Sequence, residues 1–384
     1  ARGTWTRRLK NGLNCQRTLT HNNMLVLDSH CDTPSQIMRL RDLSVDNPFA
    51  HVDFPKLRRG GVDASFFALF TPGTMQPDSA TAYALKMLAG VNDAVAAAPD
   101  MAVLAYSPEE ALQNKATGRT SIFIGMENGL PIQDSLALLR QFWRMGVRYM
   151  TLTHNTDNQI CDSAAQGKRW GGLSPFGRQV VAEMNRLGMV IDLAHASDEA
   201  FYDCVRCSKA PVVSTHSCCR ALAHHRRNMT DDMLKAIAAV DGVIQINFYP
   251  LFLSDDFAAE LERSGLDPVA DAVEAEFIKD PANPEKYQAW VEIQKRLASL
   301  KRPSYKVVVD HIDHAVAVAG VDHVGIGSDF DGINVTPEGL ENVSMIPVIF
   351  EEMRLRGYSE KDIEKVAGGN FLRVMRTVRS VAAV

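Results

Sequence analysis

Apolar residues along this chain fall into two alternating rhythms. Short strand-like runs, MLVLDSH, VDASFFAL, SIFIGME, RYMTLTH, MVIDLAH, PVVSTH, GVIQINF and HVGIGSD, are mostly apolar from end to end. Between them lie stretches such as TAYALKMLAGVNDAVAAA, SLALLRQFWRMG, GRQVVAEMNRLG and TDDMLKAIAAV, whose apolar residues recur at the spacing of one buried helix face. Such alternation implies βαβ units and a parallel sheet. Eight strands, each followed by a helix, close naturally into an α/β fold of the (β/α)8 TIM-barrel type; an open doubly wound sheet is the alternative. The rhythm breaks once. From Leu251 to about Arg302 a charged stretch stands where a short loop is expected, and a structureless loop of that length is unusual, so it reads as a helical insertion after the seventh strand. On a barrel it would stand beside the face where such folds build their sites, to roof that face or meet a partner subunit. The expected organisation is an N-terminal extension over 1–23 and a single barrel domain over 24–384, with the insertion at about 251–302.

Composition narrows the class. The chain has 384 residues, 46% of them hydrophobic and 23% charged, which suits a large core and excludes disorder. A net charge of -5 offers no basic field for nucleic acid, which leaves small molecules as partners. No apolar run approaches the roughly 18 residues of a membrane span, and the opening ARGTWTRRLKNGLNCQ lacks the apolar middle of a secretory signal. Location stays open between the cytoplasm and a mature exported form. Of the seven cysteines, Cys204 and Cys207 have C-x-x-C spacing, but no second pair completes a zinc ribbon and DEAFYDCVRCSKA reads as a helix. Reduced, partly buried thiols are expected.

Candidate chemistry gathers at strand ends: His30 and Asp32 after the first strand, Glu127 after the third, His154 after the fourth, His195 after the fifth, His216 after the sixth and Asp329 after the eighth. In barrel enzymes that end carries the active site. In DSHCD the strand period of two puts His30 and Asp32 on one side and Cys31 on the other. Taken alone, a His-x-Asp is equally a hydrogen-bonded pair, and one strand-end histidine is usually a satisfied buried residue. LAHAS and STHSC in consecutive units, with TLTHNT before them, point to a shared centre. Glu127 in GMENG reads either as a turn cap or as a bridge, since one carboxylate can hold two cations about 3.5–4 Å apart. Five N and O ligands without a thiolate suit zinc; manganese or cobalt fit the same set. In GIGSDFDG, Asp329 is the inward carboxylate, a candidate proton acceptor and donor beside a metal site, or else a further ligand or structural acceptor; Asp331 is a loop or cap residue.

The stretches DSHCDTP, IGMENG, YMTLTHNT, GLSPFGRQVVAEMNRLGMVIDLAHAS, APVVSTHS, HRRNMTDDML, INFY, VGIGSDFDG and GGNFLRVM run in order from about residue 25 to 375. Together they resemble the membrane dipeptidases, or renal dipeptidases, of the metal-dependent amidohydrolase superfamily. The resemblance implies a zinc-dependent dipeptidase with two zinc ions per chain, one held by His30, Asp32 and Glu127, the other by Glu127, His195 and His216, and a bridging hydroxide as nucleophile. It implies that His154 polarises the scissile carbonyl and stabilises its oxyanion, and that Asp329 moves the proton to the departing amine. It also implies that Arg227 in HHRRN binds the dipeptide's C-terminal carboxylate. From the residues alone, Arg226 and Arg227 read as a solvated basic pair. Tyr249 in NFYP is a candidate pocket-lining residue, and the family implies a homodimer. The chain departs from familiar mammalian members in its N-terminal stretch, in Ile160 to Trp170 and in the longer insertion, which bear on substrate range.

Two alternatives remain at this stage. One is an amidohydrolase acting on another small amide, lactone or ester; relatives of that kind often bridge their metals with a modified lysine after the fourth strand, where this chain has His154. The other is a barrel that has lost catalysis and serves as a binding protein, whose mark would be a broken ligand set.

Overall fold

The computed structural model describes residues 24–383. The expected extension over 1–23, with Cys15, lies outside them. Among the described residues nine strands occur in chain order: β1 (Leu27–Cys31), β2 (Ala64–Phe70), β3 (Ala102–Leu104), β4 (Thr120–Glu127), β5 (Val147–Thr151), β6 (Val190–Asp192), β7 (Val212–Ser217), β8 (Val243–Ile246) and β9 (Val324–Ile326). They pair in parallel in the order β1-β2-β4-β5-β6-β7-β8-β9. The ring closes at a seam where Cys31 bridges Phe330, the Asp329 N–H donates to the His30 carbonyl at 3.0 Å, and the Ser328 N–H donates to Asp28 Oδ1 at 2.8 Å. The fold is therefore the closed barrel and not the open sheet. All eight expected strands are present. β3 is additional: at three residues it is too short to show a period, and it pairs only with the start of β4, away from the strand ends that matter below.

Strand alternation fills the lower barrel with Leu27, Phe66, Phe123, Tyr149, Val190, Val213 and Val243. Helix Asn370–Ser380 plugs that end with Phe371, Leu372, Val374, Met375 and Val378. Phe66 stacks on Phe123 at 4.8 Å and meets Phe371 edge-on at 5.3 Å. The alternate residues, among them Ile122, Ile124, Met126, Ile191 and Ile244, face the surrounding helices.

Register shifts occur at three pairings, β1 with β2, β4 with β5 and β7 with β8, and those in β1 and β7 bear on the strand-end histidines. β1 pairs Asp28 with Ser65 and then Cys31 with Phe67; β7 pairs Ser214 with Ile244 and then Ser217 with Ile246. In each, three steps on one strand match two on its neighbour, so one residue is extra, which is a β-bulge. A bulge reverses the facing of every residue beyond it on the strand. Leu27 and Val213 point into the barrel, and so do His30 and His216, each three residues further on.

The insertion forms four helices, Pro250–Leu253, Asp255–Ser264, Asp267–Lys279 and Pro284–Ala298. Phe257, Leu261, Leu266, Ala270, Ile293 and Leu297 give it a small core of its own, joined by Val335 from the loop after β9. It leans on the barrel's upper loops through Arg39–Glu274 at 2.7 Å and through Arg302 donating to the Thr336 carbonyl at 3.1 Å. Among the described residues no helix is long and apolar enough to cross a membrane.

Candidate metal centre

The strand ends bring the predicted residues to one buried basin. Glu127, the last residue of β4, stands at its centre. Its Oε2 lies 3.5 Å from His30 Nε2, and its Oε1 lies 3.0 Å from His195 Nε2, 3.5 Å from His216 Nε2 and 3.9 Å from His154 Nε2. Asp32 Oδ2 is 3.5 Å from His30 Nε2. Three overlapping groups have ligand atoms within 4.8 Å of one another: His30 with Glu127 and His216, Glu127 with His154 and His195, and His30 with Asp32 and Asp329. Cys31 points the other way, toward Ser65 and the Phe66 carbonyl.

Hydrogen bonds fix which nitrogen of each ring faces the basin. Tyr149 Oη takes His30 Nδ1 at 2.8 Å, and Gly125 leaves the space in which that phenol lies, since a Cβ there would sit 2.2 Å from Tyr149 Cζ. The Asn155 amide oxygen takes His195 Nδ1 at 3.0 Å. Thr215 Oγ1 gives its proton to Asp192 at 2.7 Å, so it accepts from His216 Nδ1 at 2.9 Å. With both Nδ1 atoms protonated, His195 Nε2 and His216 Nε2 turn bare lone pairs toward each other at 2.9 Å. That contact is repulsive unless a proton or a cation lies between them. His30 Nε2 and Asp32 Oδ1 are buried with no hydrogen-bond partner, a cost that buried polar atoms rarely carry without a ligand to relieve it.

The electrostatics carry the same strain. Burial, with Glu127 next in size, lifts the Asp32 carboxyl to about 6, and burial lifts Asp329 to about 7. Burial pushes His195 and His216 well below the ordinary imidazole range, reinforced by the Arg227 charge. For His30 burial acts downward, but Glu127 and Asp32 outweigh it and raise it well above that range. Carboxylates and neutral imidazoles crowded out of water in this way are a donor set for hard or borderline cations. The backbone is also held in costly conformations here: Asn128, His195 and Asp329 have φ of 78°, 70° and 61°, each a left-handed state costing on the order of 1–3 kcal/mol outside glycine.

His154 lies at the open side, its ring edge-on to Phe70 at 4.7 Å, and burial lowers its pKa to about 3. Arg227 is buried, unlike its exposed neighbour Arg226. It donates to the His216 carbonyl at 3.2 Å and to Ser217 Oγ at 3.4 Å, and its guanidinium lies 5.4 Å from the centre of the Phe252 ring. Among the described residues it has no ion-pair partner, and its Nε has no hydrogen-bond partner. Tyr249 sits at the seam between barrel and insertion, against Phe252 at 5.1 Å and beside the insertion core. Several contributors escaped the sequence reading: Tyr149, Asn155, Asp192 and Asn247 in the supporting hydrogen bonds, and Gly332, where a Cβ would stand 2.1 Å from Asp32 Oδ2. For Tyr149 the available signal was its inward position two residues before the end of β5.

Comparison with known proteins gives this basin a context. Residues 16–384 match the family model of membrane dipeptidase, Peptidase family M19. An uncharacterized dipeptidase of Schizosaccharomyces pombe is 32% identical, over 94% of this chain and 82% of its own length. The solved structure of the probable dipeptidase PvdM from Pseudomonas aeruginosa is 29% identical, with a TM-score of 0.81 over 94% of this chain and 97% of that one. A structure described as dipeptidase AC, a metallo peptidase of family M19, is 25% identical, with a TM-score of 0.76 over 92% of this chain and 99% of that one. Matched by the model along nearly its whole length, the chain belongs to the membrane dipeptidase family and is a metallo-dipeptidase.

Proposed function

We propose that the chain is a binuclear zinc dipeptidase in which His30, Asp32 and Glu127 hold one ion, His195 and His216 hold the other with Glu127, and Glu127 bridges them. The observation that carries this reading is the pair of bare imidazole lone pairs at 2.9 Å, beside the unpartnered His30 Nε2 and Asp32 Oδ1. The ions would supply Lewis acidity and a hydroxide nucleophile near neutral pH. The remaining chemistry belongs to the side chains. Arg227 receives the C-terminal carboxylate of the dipeptide through parallel N–H bonds; a buried guanidinium without a carboxylate partner suits that task. His154, kept neutral by burial, donates an N–H to the scissile carbonyl oxygen as charge develops on it. Asp329 accepts the nucleophile's proton and returns it to the leaving amine. Tyr249 closes the pocket on the insertion side.

Elemental analysis of one preparation, with release of free amino acids from a dipeptide panel, tests the reading. About two zinc ions per chain and cleavage abolished by chelator are expected. Zinc with no dipeptide cleaved would transfer the site to another small amide, lactone or ester. Asp329→Asn is expected to keep its metal while kcat falls on the order of 100-fold or more; unchanged turnover removes its assigned role. Arg227→Ala is expected to impair dipeptides far more than amide substrates lacking a free carboxylate, and equal losses would dispose of the clamp.

A further inference from the structure

We propose that Asn247 is a positioning residue for the reaction: its side-chain amide holds the Asp329 carboxylate by one oxygen and leaves the other free for proton transfer. The inference rests on Asp329 being the proton carrier. Asn247 comes directly after β8 and is fully buried. Its Nδ2 donates to Asp329 Oδ2 at 2.9 Å, while its Oδ1 accepts the Tyr249 N–H at 2.6 Å. The second contact decides the first. A backbone N–H can only donate, so the amide oxygen must face Tyr249 and the NH2 group must face Asp329.

The held carboxylate has little other support. Besides Asn247, the Asp329 carboxyl meets only the Asp32 carboxyl among the side-chain hydrogen bonds of the described residues, and its backbone is in the left-handed region at φ 61°. Its Oδ1, the oxygen not held by Asn247, turns toward Gly332, where a Cβ would stand 2.6 Å from it and 2.1 Å from Asp32 Oδ2. Oδ1 therefore opens on the same small space as Asp32. Freed from Asn247, the carboxylate could rotate about its terminal torsion, which is broad and roughly two-fold for Asp, and lose that aim. The amide also ties the site to the insertion, because Tyr249 and Phe252, which packs on Arg227, come within five residues of it.

Asn247→Asp separates the donor from the fold. It is nearly isosteric and still accepts the Tyr249 N–H, but it turns an oxygen toward Asp329 where a donor stood. With zinc loaded, kcat for dipeptides is expected to fall about 10- to 100-fold, the usual cost of losing a supporting partner, with KM changed less than about threefold and zinc content intact. Asn247→Ala, which removes the donor without adding charge, is expected to give the same split. In metal-free protein, the exchanged double variant Asn247→Asp with Asp329→Asn restores a donor–acceptor pair and is expected to recover the melting temperature lost by Asn247→Asp alone. Unchanged kcat in both single variants, a loss falling equally on KM or zinc content, or no recovery in the exchanged pair would overturn the inference. Asp329→Asn alone separates the two failures: if it stays active, the role of Asp329 falls; if it is inactive while the Asn247 variants work normally, only the positioning role falls.

Discussion

Which nitrogen of a neutral histidine offers its lone pair is set by what engages the other, and in this barrel that engagement comes from a phenol, an amide and a hydroxyl. Tyr149, Asn155 and Thr215 each fix one ring, and Asp192 fixes the hydroxyl of Thr215 in turn. At this scale the smallest residue is the most exacting. A methyl group at Gly332 would occupy space already held by Asp32 Oδ2 and Asp329 Oδ1, so Gly332→Ala is expected to weaken metal binding at least 10-fold while leaving the fold intact. Chelator competition measures this, and a variant that keeps wild-type metal affinity would show that the carboxylates can move aside. The candidate ligands were readable because each is a strand-end His, Asp or Glu. The supporting residues were not: Tyr149 had only its inward strand position to mark it, and a buried Asn or Thr carries no signal of what it faces. Arg226 and Arg227 make the same point: adjacent and chemically identical, they differ only in that the loop after β7 folds one inward and leaves the other in water.

Among elements, alternation located all eight barrel strands, yet it did not reveal why the candidate ligands of β1 and β7 face inward. Leu27 and His30 cannot both point into the barrel on an unbroken period of two; the bulge reconciles them, and nothing in DSHCD marks an extra residue. β3 was missed for the opposite reason, since three residues are too few for any period. The helical character of the insertion was readable from its length and charge, but its anchoring was not. One anchor is His311 on helix Lys306–Ala319: its Nδ1 accepts the Cys219 N–H at 3.0 Å, and its Nε2 donates to the Leu253 carbonyl at 3.1 Å. Burial lowers its pKa from 6.5 to about 4. The unfolded chain therefore takes up a proton below about pH 6.5 that the folded chain refuses until about pH 4, so stability is full above that window and declines as pH falls through it, by roughly 3 kcal/mol for this group. Melting of the metal-free protein should fall across this range, and less steeply in His311→Gln, whose amide can serve both contacts. Identical slopes would assign the acid loss elsewhere.

For the molecule as a whole, stability and chemistry occupy opposite ends of one barrel, with aromatic packing and the Asn370–Ser380 plug below and the polar basin above. The insertion touches the upper end through Phe252, which packs on Arg227, and for the rest packs mainly on itself. Beyond the first helix, with Phe252 and Leu253 in the main core, the rest of the insertion relies more on its own small core and on contacts such as the partly buried Arg39–Glu274 pair, and an ion pair of this exposure contributes up to about 1 kcal/mol. Glu274→Ala is accordingly expected to speed limited proteolysis within 251–302 severalfold while the melting of the barrel barely moves; first cuts in the barrel instead would show that the insertion is integral to it. The seam between β1 and β9 has a consequence for biosynthesis. Asp28 and Ser328, bonded at 2.8 Å, stand 300 positions apart in the chain, and Asp329, against His30 and Asp32, comes immediately after. A polypeptide emerging from the ribosome exposes its first two candidate ligands long before the strand that encloses them exists. Tight metal binding therefore waits until β9 has been made, and stalled nascent chains that end before β9 are expected to carry no tightly held metal.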